Sequence, residues 1–438
     1  MSSFHVQNFG CRASQADGAA IESALLAQGL AAAPNSSQAQ LVVLNTCTVT
    51  ALADEDVRKA VHRVHRENPA ARILVTGCYA QRAPQELAEM PGVTWVVGNS
   101  HKVQIPEIVS ESVLPYPELP YHGQIHVGDI IVGDIMAQHE FLAAPVEDAA
   151  GDRTRPNLKI QDGCNNRCSF CIIPFVRGRS RSAPADRVIA QVRDLAARYR
   201  EVVLSGINLG RWGREPGSSM RLADLLHRLL AETPIERLRL SSVEPMDWSD
   251  ELLNLVATSA RIAKHVHAPL QSGSDRVLRR MHRKYRPRHY EDRVRKARAW
   301  MPDAAIGADV MTGFPGESDA EFKETRAFIQ SLPFTYLHVF TYSARPGTPA
   351  AESPQVPMEV RRDRNRVLRE LAAEKNLEFR RRMLGRTLSV VTLTDGALSD
   401  NFLKVELATP RAPNRLLDVK VGSLTPNGLR EHNALTVL

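Results

Sequence analysis

Three thiols crowd onto one short polar loop, Cys164-Asn165-Asn166-Arg167-Cys168-Ser169-Phe170-Cys171, just after the apolar run Leu158-Lys159-Ile160. C-x3-C-x2-C spacing lets a tight loop aim three sulfurs at one small metal centre, and soft thiolates select iron–sulfur clusters or zinc. A closed structural zinc takes four protein ligands. No fourth cysteine lies near, and the first histidine downstream is His227. Three thiolates on a four-iron cluster leave one iron without a protein ligand, open to a substrate as catalytic metals are. Buried structural cysteines have no reason to gather on an Asn-rich loop.

The 438 residues exceed one ordinary core and imply two or three domains. An apolar fraction of 43% suits a soluble globular protein. No run of apolar residues reaches a membrane-spanning length, and Met1-Ser2-Ser3-Phe4-His5 does not begin a signal peptide. Six cysteines without export signals point to metal or redox chemistry in a reducing cytosol, so a cytoplasmic location is expected. The formal charge of +7 favours a polyanionic partner.

Residues 1–112 read as a parallel α/β domain. Three apolar runs each end on a cysteine: Phe4–Gly10 on Cys11, Leu41–Thr46 on Cys47, and Ile73–Gly77 on Cys78. Helical patterns over 16–28 and 52–66 separate them, which implies right-handed crossovers. All carboxyl ends of such a sheet share one edge, so the three thiols are expected to converge there. Separate buried thiols, and a three-thiol zinc completed by a histidine or water, are the competing readings.

C-x3-C-x2-C after the first strand of a βα repeat resembles the radical S-adenosylmethionine (SAM) enzymes. Gly-Cys, Asn-Thr-Cys and Gly-Cys placed ahead of such a domain resemble the methylthiotransferases. The resemblance implies a SAM-binding 4Fe-4S cluster on Cys164, Cys168 and Cys171, and an auxiliary 4Fe-4S cluster on Cys11, Cys47 and Cys78. It also implies two SAM molecules per turnover, one as methyl donor and one as radical source. Family members often carry Asn and Ser where this chain has Ser14 and Gly18, so the hydrogen bonds around the auxiliary cluster are expected to differ.

Residues 113–157, broken by Pro115, Pro117 and Pro120, read as a linker, with 125–127 and 129–132 as possible short strands. Residues 158–356 alternate strands (158–161, 201–206, 237–243, 265–270, 305–312, 336–342) with amphipathic helices such as 186–199. Six βα units imply a partial (βα)6 barrel with its chemistry at the carboxyl-end face. Polar strand ends there make Ser205, Gly206, Glu244 and Gln271 candidates for holding SAM. Basic residues beside this face, Arg177, Arg179, Arg181, Arg283 and Lys284, are candidates for gripping RNA phosphates.

Residues 357–385 read as a basic amphipathic helix, with Arg361, Arg362, Arg364, Arg369, Arg380, Arg381 and Arg382 on its polar face. Residues 386–438 read as a small antiparallel β-barrel that resembles, by position, the RNA-binding TRAM domain of methylthiotransferases.

Asn-Thr-Cys-Thr-Val-Thr at 45–50, Gly-Cys-Tyr-Ala-Gln at 77–81 and Ile-Gln-Asp-Gly-Cys-Asn-Asn-Arg-Cys at 160–168 most resemble the enzymes acting on N6-threonylcarbamoyladenosine, 3′-adjacent to the anticodon. The implied partners are a tRNA carrying that base and an electron donor such as flavodoxin or ferredoxin, with no membrane. The alternatives are an isopentenyladenosine enzyme, an enzyme that modifies an aspartate of a small-subunit ribosomal protein, and a non-catalytic metal-containing RNA-binding protein.

Overall fold

The computed structural model describes residues 1–111, 128–138, 141 and 154–433. Strands β1 (Ser3–Asn8), β2 (Ala31–Ala32), β3 (Leu41–Thr46), β4 (Arg72–Gly77), β5 (Val93–Gly98) and β6 (Asp129–Ile131) form one sheet in the order β2-β1-β3-β4-β5-β6. Every pairing in it is parallel. β3 is buried throughout because helices cover both faces. Val42 and Leu44 pack with Val57, Val61 and Val64 of α2 (Ala51–Glu67), whereas Leu41 and Val43 pack with Ile21 and Leu25 of α1 (Arg12–Ala27). The 129–131 segment of the expected linker therefore completes this sheet rather than merely connecting domains. Expected strand 125–127 and the prolines at 115, 117 and 120 lie outside the described residues.

Six parallel strands follow: β7 (Asn157–Asp162), β9 (Glu201–Gly206), β10 (Arg237–Leu240), β11 (His265–His267), β12 (Ala305–Thr312) and β13 (Tyr336–Thr341), with β8 (Arg181–Ser182) antiparallel on the edge of β7. The sheet opens between β10 and β11, where a single bridge from Leu238 to Ile262 replaces a ladder. Alternate residues split the faces. Leu158, Ile160, Val202, Leu204, Leu238, Val266, Ile306, Ala308 and Val310 join an apolar core with Val188, Val192, Leu225 and Leu229 of the outer helices. The inner face carries Lys159, Gln161, Glu201, Arg239, His265, His267, Asp309 and Tyr336. That is the wall of a site, not of a packed barrel.

β7 and β13 do not pair, and the N-terminal domain bridges the open side. On the β7 side, Asn157 Nδ2 donates to Arg12 O at 2.7 Å. On the β13 side, Ala51 N donates to Ser343 Oγ at 3.0 Å, and Arg345 pairs with Asp54 at 2.6 Å.

The helix Met358–Arg382 leads into a closed barrel, β14 (Thr387–Leu393), β15 (Gly396–Ser399), β16 (Lys404–Glu406), β18 (Leu429–Glu431) and β17 (Leu416–Leu424). Unlike the expected all-antiparallel barrel, it closes through a parallel β16–β18 pair. The helix also departs from the expected basic face. Arg361, Arg364 and Arg380 are buried. Arg364 pairs with Glu317 at 2.7 Å, and Arg361 and Arg380 donate to backbone carbonyls, those of Tyr342 and Thr425 among them. Arg362, Arg369, Arg381 and Arg382 remain exposed.

Arg239 locks this barrel under the inner face. It donates to Ser399 O at 2.9 Å and Asp400 O at 3.0 Å while holding Glu201 at 2.8 Å. Burial pushes the Glu201 carboxyl up, but Arg239, Arg155 and Arg237 outweigh it and hold it down at about 2. A carboxyl lowered on folding adds stability above its unfolded value, and loses it as pH falls from about 4 toward 2. Glu201→Gln is expected to cost about 3–5 kcal/mol at neutral pH, because Arg239 stays buried without its counter-charge. Denaturant titrations at pH 7 and pH 3 should show the gap between variant and wild type narrowing at the lower pH.

Candidate cluster and SAM site

Each N-terminal cysteine follows the carboxyl end of a strand. Cys11 precedes α1, Cys47 follows β3, and Cys78 opens the short helix α3 (Cys78–Arg82). The Asn-Thr of the 45–47 motif ties the three segments together. Asn45 Nδ2 donates to Asn8 Oδ1 at 2.9 Å and Ser14 O at 2.6 Å, which fixes β1 and α1. Thr46 Oγ1 donates to Thr76 O at 2.6 Å and accepts from Tyr79 N at 3.2 Å, which fixes β4 and α3. The departures at 14 and 18 fit the same scheme. Ser14 Oγ stands 3.7 Å from Cys11 Sγ, and a side chain at Gly18 would occupy the place of the Asn8 amide.

Gly10, at φ +93, lets the Cys11 turn lie directly on Cys47: a Cβ there would fall 2.3 Å from Cys47 Cβ and 2.7 Å from its Sγ. Burial pushes the Cys47 thiol up to about 12, with Cys78 and Cys11 adding to the shift. A thiol raised this far gives up its proton where a metal supplies the opposing charge. Gly10→Ala is expected to displace Cys47 and halve the iron retained after anaerobic reconstitution, measured per folded chain.

The second trio sits between β7 and the short helix Ile173–Arg177. Cys164 N donates to Gly178 O at 3.0 Å and Ser169 N to Met281 O at 3.2 Å, which pin the loop at both ends. Donors surround its sulfurs. Asn166 N lies 3.4 Å and Asn208 Nδ2 3.7 Å from Cys164 Sγ, and Arg283 Nη1 lies 3.2 Å from Cys168 Sγ. Burial, with Cys168 next, pushes the Cys171 thiol up to about 12.

Zinc holds thiolates at about 2.3 Å, so two on one ion stand no more than about 4.6 Å apart. Among the described residues the one trio of metal-ligating atoms drawn within 4.8 Å is His267, Asp309 and His338.

The two seats meet across the domain junction. Cys78 packs on Ile172 and Val176, directly after Cys171, and Asn99 Nδ2 reaches both Val176 O (2.8 Å) and Cys78 Sγ (3.6 Å). Beneath them lies a buried charge network of Asp17, Lys102, Lys159, Asp162, Arg177 and Arg181. Its cations outnumber its carboxylates, and the excess positive charge faces Cys78 and Cys11. Such a surplus suits an anionic metal–thiolate centre.

This network changes the reading of the basic residues. Arg177 and Arg181 are buried, Arg177 on Asp17 and Asp162 at 3.0 Å each, Arg181 on the carbonyls of Arg177 and Arg179. Arg283 is buried between Glu244 and Cys168. Packed against carboxylates and sulfur, these three are not available to RNA phosphates as expected. Arg179 and Lys284 are exposed, as is Arg167 on the loop itself.

Of the SAM candidates, Ser205 is buried with its Oγ toward Leu158 O at 3.4 Å, and Gly206 lets β9 approach Gln161 closely. Glu244 is paired with Arg283. Gln271 takes φ 63, unusual without glycine, and its buried Oε1 lacks a partner. Asn208 Oδ1 and Ser241 Oγ are likewise buried without partners. Three unsatisfied oxygens on neighbouring strand ends fit a polar ligand at this face. Asn208 and Ser241 lie in the polar strand ends 204–208 and 241–245 that the sequence marks as facing a ligand pocket, though neither is among the four candidates for SAM.

Comparison with known proteins agrees with this geometry. The model for the Radical SAM superfamily matches residues 158–329, and that for Uncharacterized protein family UPF0004 matches 3–98. The threonylcarbamoyladenosine tRNA methylthiotransferase MtaB of Aquifex aeolicus is 35% identical over 95% of this chain and 99% of its own length. The chain belongs to the radical SAM tRNA methylthiotransferases. A Bacillus subtilis MtaB is 37% identical over 89% of this chain and 85% of its own, and a tRNA-2-methylthio-N(6)-dimethylallyladenosine synthase of Desulforamulus reducens 30% over 96% and 93%. Among solved structures, the radical SAM methyltransferase TsrM of Kitasatospora setae shares the fold at TM-score 0.58 and 16% identity, over 80% of this methylthiotransferase and 77% of TsrM. No helix among its described residues is long and apolar enough to cross a membrane.

Proposed function

We propose that this methylthiotransferase adds a methylthio group to carbon 2 of N6-threonylcarbamoyladenosine next to the anticodon of tRNA. The observation that carries the reading is the pair of thiol seats set against each other at a domain junction, opening on a polar inner barrel face. When bound, SAM and a 4Fe-4S cluster on Cys164, Cys168 and Cys171 supply a carbon radical able to attack an unactivated C–H bond, and an auxiliary 4Fe-4S cluster on Cys11, Cys47 and Cys78 supplies the sulfur.

The chain's own groups orient and insulate these centres. Arg283 donates to Cys168 and is itself held by Glu244. Asn208, Ser241 and Gln271 offer their unsatisfied oxygens to SAM. Arg177 and Lys102 set positive charge under Cys78, and Arg167, Arg179 and Lys284 stand exposed where RNA phosphates would approach. Two SAM molecules serve each turnover, and electrons come from a small donor such as a flavodoxin or ferredoxin.

The subgroup rests on sequence likeness to enzymes named for threonylcarbamoyladenosine, while relatives named for dimethylallyladenosine, at 30–33% identity, keep the second substrate in view. Mass spectrometry of tRNA nucleosides from a strain lacking this enzyme decides between them. Loss of 2-methylthio-threonylcarbamoyladenosine supports the proposal. Loss of a 2-methylthio-isopentenyl product with the former retained refutes it.

A further inference from the structure

The inner face holds a hydrogen-bonded chain that neither the clusters nor the SAM rim uses. It crosses three adjacent parallel strands, in which Asp309 pairs in register with His338 and His267 with Gly307. His265 Nε2 lies 2.7 Å and His267 Nδ1 2.8 Å from Tyr336 OH. His267 Nε2 lies 3.1 Å from Asp309 Oδ2, and His338 Nδ1 3.2 Å from Asp309 Oδ1. At its foot, His265 stacks on Phe402 of the C-terminal barrel with ring centroids 4.4 Å apart.

The proton positions follow from one end. Burial works against the Asp309 carboxylate, but hydrogen bonds from both imidazoles outweigh it and hold its pKa below the ordinary range. An ionised Asp309 only accepts, so His267 Nε2 and His338 Nδ1 both carry hydrogens. His267 Nδ1 is then an acceptor for the Tyr336 hydroxyl, whose oxygen accepts from His265 Nε2–H. The chain orients all three rings and leaves Nε2 of His338 as its exposed end, an atom without a hydrogen in the neutral ring. The His338 side chain is 61% exposed, on the inner wall of the barrel side that the N-terminal domain bridges.

The charges near it balance once Asp309 is counted. Arg239 is matched by Glu201, and Lys159 by Asp17 and Asp162. Arg12, next to Cys11, has no carboxylate within ion-pair distance among the described residues. Tyr336 and Glu201 are the groups that favour its positive charge. With Arg12 offsetting Asp309, an incoming carboxylate is paired here by a His338 ring that carries hydrogens on both nitrogens.

We propose that His338 is a specificity-determining residue that, as an imidazolium, receives the threonyl carboxylate of the substrate base. Nδ1–H then faces Asp309, and Nε2–H, its proton taken up as the substrate binds, faces the incoming carboxylate. The inference rests on the threonylcarbamoyladenosine reading. It explains why an imidazole, backed by Asp309, is presented toward a substituent that ends in a carboxylate. An isopentenyl group has nothing to offer such a donor.

The test compares reconstituted holoenzyme binding to two anticodon stem-loop RNAs, one bearing the threonylcarbamoyl free acid and the other its methyl ester. Wild type is expected to bind the acid about tenfold tighter, the worth of one charge-assisted hydrogen bond. In His338→Phe that preference should shrink to within about twofold, with KM for the acid raised more than kcat is lowered. Equal wild-type binding of acid and ester, with methylthiolation of the acid still observed, overturns this inference and leaves the substrate reading standing. Binding of the acid no tighter than unmodified RNA overturns both. A stoichiometric zinc or iron lost specifically in His338→Phe would also overturn it, since the ring nitrogens would then serve a metal.

Discussion

Cys168→Ala abolishes reductive cleavage of SAM, whereas Cys47→Ala leaves cleavage measurable and stops methylthio transfer. The first expectation rests on the 164–171 loop having no spare ligand. Its three sulfurs are the only cysteines there, and removing one leaves two thiolates, too few to hold a cluster with one iron free for SAM. Cys168 is also where Arg283 donates, so alanine strands a buried guanidinium with Glu244 as its one remaining charged partner. The second expectation rests on separation of the seats by their scaffolds. Cys47 hangs from β3 and its ties run to β1, β4 and α3, not to the radical loop. Iron should fall from about eight to about four per chain in either variant. What separates them is which activity survives, read as 5′-deoxyadenosine formed against methylthiolated RNA formed. Loss of both activities in Cys47→Ala, in a chain that still melts cooperatively, would refute the division of labour.

What the sequence made legible, and what it hid, divides along one physical line. Cysteines at the ends of apolar runs could be placed because a parallel sheet puts all carboxyl ends on one edge. The six strands of the radical domain could be found because their outward residues are continuously apolar. Charge could not be read the same way. Arg177 looks like part of a basic surface run until Asp17, 160 positions earlier, is folded against it. Arg364 of the basic helix likewise meets Glu317 only through packing. A run of arginines carries no local mark of which members are buried, because the compensating carboxylates come from distant strands. The 129–131 strand was weak for the opposite reason, being three residues whose partner, β5, is already a complete strand. His267 and Asp309 open two polar strand ends and His338 reads as one polar residue in a strand, and only register brings the three together.

That dependence on distant compensation makes Asp17→Asn the most damaging single change expected at the junction. Asp17 is 5% exposed and pairs with Lys102 and Arg177 at 3.0 Å each, and with Lys159. Neutralising it leaves Lys102, Lys159, Arg177 and Arg181 facing Asp162 alone, at a cost of about 3–5 kcal/mol for breaking a buried pair. An exposed pair gives the contrast: Glu55→Gln, opposite Lys59 on α2, should leave the denaturant midpoint almost unchanged. Asp17 lies on α1, whose first turn begins at Cys11, so releasing α1 from β7 also pulls one sulfur from the auxiliary trio. Asp17→Asn should therefore lose about half its iron and all methylthio transfer while retaining SAM cleavage. Burial alone would raise the Asp17 pKa, but Lys102, Lys159 and Arg177 lower it well below the ordinary value. Its contribution is therefore complete above about pH 4 and is lost only as pH falls through that depressed value. Wild type at low pH should accordingly come to resemble the variant at neutral pH in denaturant midpoint. A variant that keeps full iron and the wild-type midpoint would show that the network is not what holds α1 and Cys11 against the radical domain.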